Sequence, residues 1–306
     1  LGFFKSLRVV TSLHQRLSPW LELLRWNKPT GRLILLIPAG WSLWLSPSAP
    51  PSATLLLQIV IGGLAVSGAG CVANDLWDRR FDSRVERTKG RPLARGAIGI
   101  GSALTLLLLM LVLSLAVVLS LDPDSLQLCL LLAVLALPPI LLYPSAKRWF
   151  AYPQAILALC WGFAVLIPWA AAEQRLWLNP SLIGCWLATV LWTFGFDTVY
   201  AMADRRDDKA IGLNSSALSL GRHGVSTVRV CYAFTAIALA TAAASAGVGL
   251  LFWPFWLVAT VLMQRSCQPL NSAATDMARF GLHFRRQVQL GSLVLVGLML
   301  SRSLPG

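Results

Sequence analysis

Long runs of apolar residues separated by short polar connections dominate the pattern along this chain of 306 residues. A membrane-spanning helix needs roughly 20 consecutive, predominantly apolar residues. The pattern therefore predicts an all-α, polytopic membrane bundle of about nine transmembrane helices, since the bilayer core accepts only segments that satisfy their own backbone hydrogen bonds. The predicted spans cover residues 32–46, 53–72, 101–121, 126–143, 153–171, 181–199, 227–248, 250–264 and 287–301.

The composition excludes the common soluble classes. Hydrophobic residues make up 56% of the chain and charged residues 13%, with a mean hydropathy of +0.66. Soluble domains carry roughly 25% charged residues, so about half of the usual solvated surface is missing. We expect a single transmembrane domain over residues 1–306, in which residues 1–31 form a basic N-terminal arm.

The chain has a net charge of +13, and its Lys and Arg residues are distributed unevenly between the predicted connections. Nine spans would place the arm and the connections after spans 2, 4, 6 and 8 on one side of the membrane. That side holds all but two of the 26 Lys and Arg residues, the exceptions being Arg175 and Arg302. Cytoplasmic connections carry the excess of Lys and Arg. The distribution therefore predicts a cytoplasmic N-terminus and gives no support to nucleic acid as a partner.

Two connections on the predicted cytoplasmic side hold more than half of the 13 Asp and Glu residues. The first, in the region 73–100, begins Asn-Asp-Leu-Trp-Asp-Arg-Arg-Phe-Asp at Asn74. The second, in the region 197–222, begins Asp-Thr-Val-Tyr-Ala-Met-Ala-Asp-Arg-Arg-Asp-Asp at Asp197. Asn74 and Asp204 are separated by the same number of residues as Asp78 and Asp208, which suggests one device used twice.

Oxygen-bearing side chains at positions i and i+4 share one face of a helix. Asn74 with Asp78, and Asp204 with Asp208, would each present such a pair. Mg²⁺ prefers hard oxygen ligands and is usually held by one or two carboxylates together with substrate phosphates. The two pairs therefore predict a Mg²⁺-dependent diphosphate clamp. The alternative is that the acids pair with neighbouring arginines in a solvated loop.

Basic side chains next to both pairs would take the remaining phosphate charge. They lie beside each acidic cluster and on the connection between them: Arg79, Arg80, Lys147, Arg148, Arg205 and Arg206.

The motifs N-D-x-x-D-x-x-x-D and D-x-x-Y-A-x-x-D-x-x-D-D resemble the two signatures of the UbiA superfamily of intramembrane aromatic prenyltransferases. Further matching stretches are Leu24–Gly31, Gly70–Asn74, Arg87–Leu93, Tyr143–Arg148 and Asp208–Gly212. The stretches after each motif are most similar to the 4-hydroxybenzoate group of the family. One departure is Asn214, where Lys is expected in many members.

The resemblance implies Mg²⁺-dependent transfer of a polyprenyl group from polyprenyl diphosphate to the ring carbon ortho to the hydroxyl of 4-hydroxybenzoate, as in ubiquinone or plastoquinone-type quinone biosynthesis. It also implies an inner-membrane bacterial enzyme whose site faces the cytoplasm, with a central cavity open to lipid. The implied roles are as follows: metal binding, Asn74, Asp78, Asp204 and Asp208; diphosphate binding, Arg79, Lys147 and Arg148; substrate binding, Arg25, Tyr200 and Asp207; assistance to deprotonation, Asp75 or Asp82.

Two alternatives remain open from the sequence. Members of the same superfamily act on other acceptors, namely homogentisate, dihydroxynaphthoate, chlorophyllide and haem, and the metal motifs alone do not separate them. A secondary transporter also places carboxylates in broken helices, although such sites lie near the bilayer midplane rather than beside arginines at helix ends. The oligomeric state is not readable from the pattern.

Overall fold

The computed structural model describes residues 17–271 and 277–303. Residues 1–16 of the predicted arm, with Lys5, Arg8 and Arg16, lie outside this part of the chain. Throughout the described ranges the regular structure is helical, as predicted, and no strand is present. The α-helices are α1 Thr30–Leu33, α2 Leu36–Leu45, α3 Ala53–Asp82, α4 Ile100–Leu119, α5 Pro123–Leu142, α6 Pro153–Glu173, α7 Pro180–Ala201, α8 Arg205–Ile211, α9 Ser216–Leu220, α10 Gly224–Ser245, α11 Phe252–Ser266 and α12 Met277–Ser303. Short 3₁₀ turns cover Tyr143–Arg148, Met202–Asp204, Gly221–His223 and Gln268–Asn271.

Each predicted span overlaps a helix, but the count of nine spans is not confirmed. Six helical segments within the described ranges are both long and apolar enough to cross a membrane: Ala53–Asp82, Ile100–Leu119, Pro123–Arg148, Pro153–Glu173, Pro180–Ile211 and Ser216–Ser245. The apolar segment Thr30–Leu45 is shorter than these. Helix α11 has 15 residues and so reaches only ~22 Å at 1.5 Å per residue, less than the ~30 Å of a bilayer core. Helix α12 is long enough but carries Arg285 and Arg286 in its interior.

Local sequence signals explain where several helices begin. The Ser52 side chain accepts a hydrogen bond from the Leu55 backbone N–H at the start of α3. The Asn179 side chain does the same for Leu182 at the start of α7, where Pro180 occupies the first helical position. Ser and Asn are preferred caps, and Pro is tolerated in a first turn because that N–H has no intrahelical partner. These caps fix the first residues of α3, which carries the first acidic cluster, and of α7, which leads into the second.

Helix α7 lies at the centre of the bundle and packs against α6, α10 and α12. Its contact with α10 depends on Gly184, where an added Cβ would lie 2.6 Å from the Ala238 carbonyl oxygen. Small residues allow such close approach between membrane helices. On the outside of the bundle, α4 exposes most of its leucines, including Leu104 and Leu109. An apolar outer surface of this kind matches contact with lipid, so the chain is an integral, multi-pass membrane protein.

Candidate functional site

One large cavity opens beside the ends of α3 and α7, with a volume of about 1480 Å³. Its wall combines a polar end with a long apolar body. The polar end is lined by Arg25, Asn74, Arg87, Arg91, Lys147, Asp197, Tyr200, Asp204 and Asp208. The apolar body is lined by side chains from α2 to α6 and from α12, among them Leu108, Val112, Leu137, Trp161 and Phe284. A single space thus offers charged groups at one end and hydrocarbon along the rest.

The first acidic cluster lies at the last turns of α3, as the sequence predicts. Asp75, Asp78 and Asp82 are all buried, while Asn74 lines the cavity directly. Asp78 is 3.4 Å from Lys147 Nζ and 3.2 Å from an Arg148 guanidinium nitrogen. The 3₁₀ turn Tyr143–Arg148 therefore brings its two basic residues against the first cluster. A buried carboxylate needs such partners, because an unpaired buried charge is costly.

A chain of alternating charges joins the rest of this cluster to the cavity wall. Asp75 pairs with both Arg25 and Arg91, and Arg91 also pairs with Asp82 at 2.8 Å. Burial opposes the charge of Arg91, but the neighbouring carboxylates outweigh it and raise the arginine's pKa above its ordinary value. Arg25 and Arg91 line the cavity, so the buried acids act on that space through the two guanidinium groups.

The second cluster spans the turn Met202–Asp204 and helix α8. Asp204 accepts a two-pronged hydrogen bond from the Arg87 guanidinium, which also donates to the Tyr200 hydroxyl at 2.9 Å. The Arg87 guanidinium lies 4.9 Å from the centre of the Tyr200 ring. Burial opposes the charge of Arg87, but the hydrogen bonds that it donates to Asp204 raise its pKa above the ordinary range. Arg87 follows the first cluster in the chain, so this contact ties the two clusters together.

The remaining predicted site residues occupy different positions. Asp208 is buried and lines the cavity, whereas Asp207 is half-buried and does not line it. Arg79 donates to the Leu76 carbonyl of its own helix, 2.7 Å away, and is not part of the cavity wall. Arg148 lies on the outer side of Asp78, with its guanidinium 4.9 Å from the centre of the Phe81 ring.

The donor chemistry of the site suits a hard cation. Asn74, Asp204 and Asp208 bring amide and carboxylate oxygens to one cavity, and Mg²⁺ prefers oxygen ligands. In this arrangement the acids face Lys and Arg. Within residues 17–271 and 277–303, no three side chains of His, Cys, Asp or Glu converge closely enough to form a ready metal cluster. The ion pairs of the alternative interpretation are thus present. The carboxylates of the first cluster are buried in theirs, whereas the pair between Arg87 and Asp204 is more exposed.

Sequence reasoning gave no individual role to Arg87 and Arg91, the residues that connect the acids to the cavity. The pattern contained a signal for both, because they follow Asp82 closely in a short basic stretch. Asp197 begins the second motif, but the sequence indicates no separate role for it. In the structure it lies on the cavity wall.

Comparison with known proteins gives the same picture. The chain matches the UbiA prenyltransferase family over residues 35–267. It is 42% identical over 278 residues to a 4-hydroxybenzoate solanesyltransferase of Synechocystis sp., covering 91% of this chain and 93% of that protein. It is also 37% identical to a 4-hydroxybenzoate octaprenyltransferase of Azoarcus sp., covering 94% of this chain and 98% of the relative.

Solved structures share the fold. A UbiA homolog from Aeropyrum pernix K1 in its apo form superimposes with a TM-score of 0.71 at 23% identity, covering 87% of this chain and 96% of that one. A homolog from Archaeoglobus fulgidus, bound to GPP and Mg²⁺, superimposes with a TM-score of 0.62 at 18% identity, covering 91% and 99%. The paired acidic motifs, the helical cavity and the match along most of the sequence show that the chain belongs to the UbiA prenyltransferase family.

Proposed function

We propose that the chain transfers a polyprenyl group from polyprenyl diphosphate to the ring carbon ortho to the hydroxyl of 4-hydroxybenzoate, releasing diphosphate. The observation that carries this proposal is the single cavity of about 1480 Å³ that joins the two acidic clusters and their basic partners to a long apolar body. A prenyl diphosphate has the same division into a charged head and a hydrocarbon tail. The named acceptor of the curated relatives supports 4-hydroxybenzoate as the second substrate.

The charged head would bind where Asn74, Asp78, Asp204 and Asp208 meet basic side chains. These four residues would hold Mg²⁺, and the Mg²⁺ and GPP bound to the homolog from Archaeoglobus fulgidus support a metal-dependent reaction. When bound, Mg²⁺ neutralises the diphosphate and makes it a better leaving group. Asp78 and Asp204 would have to turn from their basic partners towards the metal.

The basic side chains would then be free to bind the phosphate oxygens. The sequence assigns this role to Arg79, Lys147 and Arg148, and the geometry adds Arg87. Lys147 and Arg87 line the cavity, so neither would have to cross packed side chains to reach the head group. Arg79 would first have to leave the Leu76 carbonyl.

The reaction breaks the allylic C–O bond of the donor and forms a C–C bond to the acceptor ring, which then loses a proton. Arg25 would bind the acceptor carboxylate, because its guanidinium lines the cavity. Tyr200, which lines the cavity, would complete the substrate contacts, and Asp207, which does not line it, would have to turn towards the substrate. Asp75 or Asp82 would assist proton loss, and their ion pairs with Arg91 favour a positioning role over direct contact. The apolar walls would exclude water from the allylic cation.

The setting of the enzyme is also part of the proposal. We place the site at the cytoplasmic face of a bacterial inner membrane, because the topology predicted from the sequence concentrates Lys and Arg on the side that carries both clusters. The product would enter the synthesis of a quinone of the ubiquinone or plastoquinone type. A transporter is disfavoured, because the acids lie at helix ends, whereas transporter sites lie near the bilayer midplane.

The test measures product formation in membranes supplied with 4-hydroxybenzoate, solanesyl diphosphate and Mg²⁺, with mass spectrometry of the lipid extract. Asp78→Asn and Asp208→Asn should each lower turnover by at least about 100-fold, the scale of loss on removing a group that stabilises developing charge. Removing the metal with a chelator should abolish turnover reversibly.

Asp124→Asn is the matched control, because Asp124 is an exposed acid at the start of α5, away from the cavity. Its turnover should equal that of the unchanged chain. Near-normal turnover of Asp78→Asn and Asp208→Asn, or equal turnover with and without the chelator, would refute the proposal.

A further inference from the structure

Helix α3 forms one side of the cavity from the charged end to the far end. Its cavity-lining residues recur at helical spacing: Gln58, Ile59, Gly62, Gly63, Val66, Ser67, Ala69, Gly70, Cys71 and Asn74. From Asn74 to Gln58 the helix rises ~24 Å at 1.5 Å per residue. The cavity thus follows α3 through most of the ~30 Å thickness of a bilayer core.

Two adjacent glycines lie along this wall, ~18 Å from Asn74 by the same rise per residue. A Cβ added to Gly63 would lie 2.7 Å from Leu36 Cδ2, and one added to Gly62 would lie 3.1 Å from Val117 Cγ1. Leu36 and Val117 line the cavity as well. Each glycine thus lets a neighbouring cavity-lining side chain pack against the α3 backbone, and an added side chain would push that neighbour into the cavity.

Beyond the glycines the apolar passage ends in polar groups. The Gln58 amide donates to the Ser120 carbonyl at 2.6 Å and lies 3.2 Å from the Ser120 hydroxyl. A second, polar cavity of about 450 Å³ begins on the other side of this contact and shares Gln58 and Leu121 with the first. A hydrocarbon tail gains less from burial against these polar groups than along the apolar wall, because the hydrophobic effect scales with apolar area removed from water.

We propose that Gly62 and Gly63 determine how long a prenyl tail the cavity admits. Their missing side chains let Leu36 and Val117 pack back against α3 and leave the passage clear, so that a tail reaching more than ~18 Å from the diphosphate can continue towards the Gln58–Ser120 contact. The substrate class is the long-chain prenyl diphosphates, and the glycines act on tail length rather than on the reacting carbon. This inference rests on the proposed function, since it assumes that the charged head binds at the acidic clusters.

The test compares donors of two lengths in the same variant. Gly63→Ala, Gly63→Leu and Gly62→Leu are assayed with geranyl diphosphate, whose short tail ends before the glycines, and with solanesyl diphosphate. The ratio of kcat/KM for the long donor to that for the short donor should fall by at least about tenfold in the Leu variants, the discrimination that one or two methylenes give in an apolar pocket. Gly63→Ala should lie between these and the unchanged chain.

Gly68→Ala is the matched control for crowding on α3. A Cβ there would lie 3.2 Å from Met110 Sδ and 3.3 Å from Leu24 Cδ2, but Gly68 does not line the cavity. Its ratio between long and short donors should equal that of the unchanged chain. A loss shared equally by both donors in the Gly62 and Gly63 variants would overturn the inference, and so would an unchanged ratio, which would mean that the tail leaves sideways before the glycines.

Binding provides a readout that does not need turnover. The rise in Tm caused by unreactive thio-analogues of geranyl and solanesyl diphosphate is measured for the same set of variants. The Leu variants should lose the rise with the long analogue and keep it with the short one. If the unchanged chain made no product yet showed this pattern, the proposed function would fail and the inference would stand. If both analogues lost their effect together, the inference would fail.

Discussion

Asp75 is the most deeply buried acid of the two clusters, with no exposed surface, and it carries two arginine partners. One of its oxygens has no hydrogen-bond partner. Its main effect is therefore electrostatic, because it neutralises and orients Arg25 and Arg91 on the cavity wall. Adjacent residues of the family motif therefore have different tasks: Asn74 lines the cavity itself, and Asp75 holds two arginines that line it.

Replacing Asp75 should destabilise the protein as well as alter the site. Asp75→Ala leaves Arg25 and Arg91 without their shared buried partner, and breaking a buried ion pair costs about 3–5 kcal/mol. The partial exposure of the two arginines, 23% and 17% of their side chains, places the expected loss near 3 kcal/mol, the lower end of that range. Thermal unfolding in detergent, with Asp75→Asn as the isosteric comparison, measures the loss.

The control is Glu86→Ala on the following loop. Glu86 pairs with Lys89, but both side chains are mostly exposed, and exposed pairs contribute little to stability. Its Tm should be close to that of the unchanged chain. Equal Tm values for Asp75→Ala and Glu86→Ala would show that Asp75 has no supporting role.

At the scale of helices, the apolar pattern predicts the positions of the elements better than the number of membrane spans. Apolar runs predict helices well because backbone hydrogen bonds have no alternative in lipid. Whether a helix crosses the whole bilayer depends on its length and neighbours, and α11 is too short although its sequence is apolar. The sequence also does not predict which side chains pair. Arg87 bonds to Asp204, which is 117 residues later, and only tertiary packing selects such a pair.

Packing of α7 against α10 gives a prediction at this scale. Gly184→Ala would place a Cβ 2.6 Å from the Ala238 carbonyl oxygen, which is backbone and cannot turn away. Overpacking of a close contact costs about 1–3 kcal/mol, so Tm should fall. Thermal unfolding in detergent is the measurement.

Gly101→Ala on α4 provides the comparison, because a Cβ there meets nothing within 4 Å. Ala is favoured over Gly in a helix by about 1 kcal/mol, so this variant should be neutral or slightly more stable. A Tm of Gly184→Ala at or above that of Gly101→Ala would contradict the account of the helix contact.

At the scale of the whole molecule, the uneven distribution of charge predicts its orientation. Lys89 is exposed on the loop after α3, and Arg175 is exposed on the loop after α6. Single substitutions Lys89→Cys and Arg175→Cys should react with a membrane-impermeant maleimide from opposite sides. Lys89→Cys should be labelled in inverted vesicles and protected in intact spheroplasts, and Arg175→Cys should show the reverse.

The unchanged chain controls for its own thiols, of which all but Cys71 are buried. Labelling of both variants from the same side would contradict the predicted topology and with it the cytoplasmic placement of the site.

The contact between Arg87 and Asp204 also bears on how the protein is made. A ribosome delivers the first acidic cluster and Arg87 to the membrane long before the residue that neutralises Arg87. During synthesis, the Arg87 guanidinium therefore lacks its Asp204 partner until α7 has been inserted. The site can form only when both halves of the chain are in the membrane. A nascent chain halted before Asp204 should therefore lack the assembled site, even when every earlier helix is already in the bilayer.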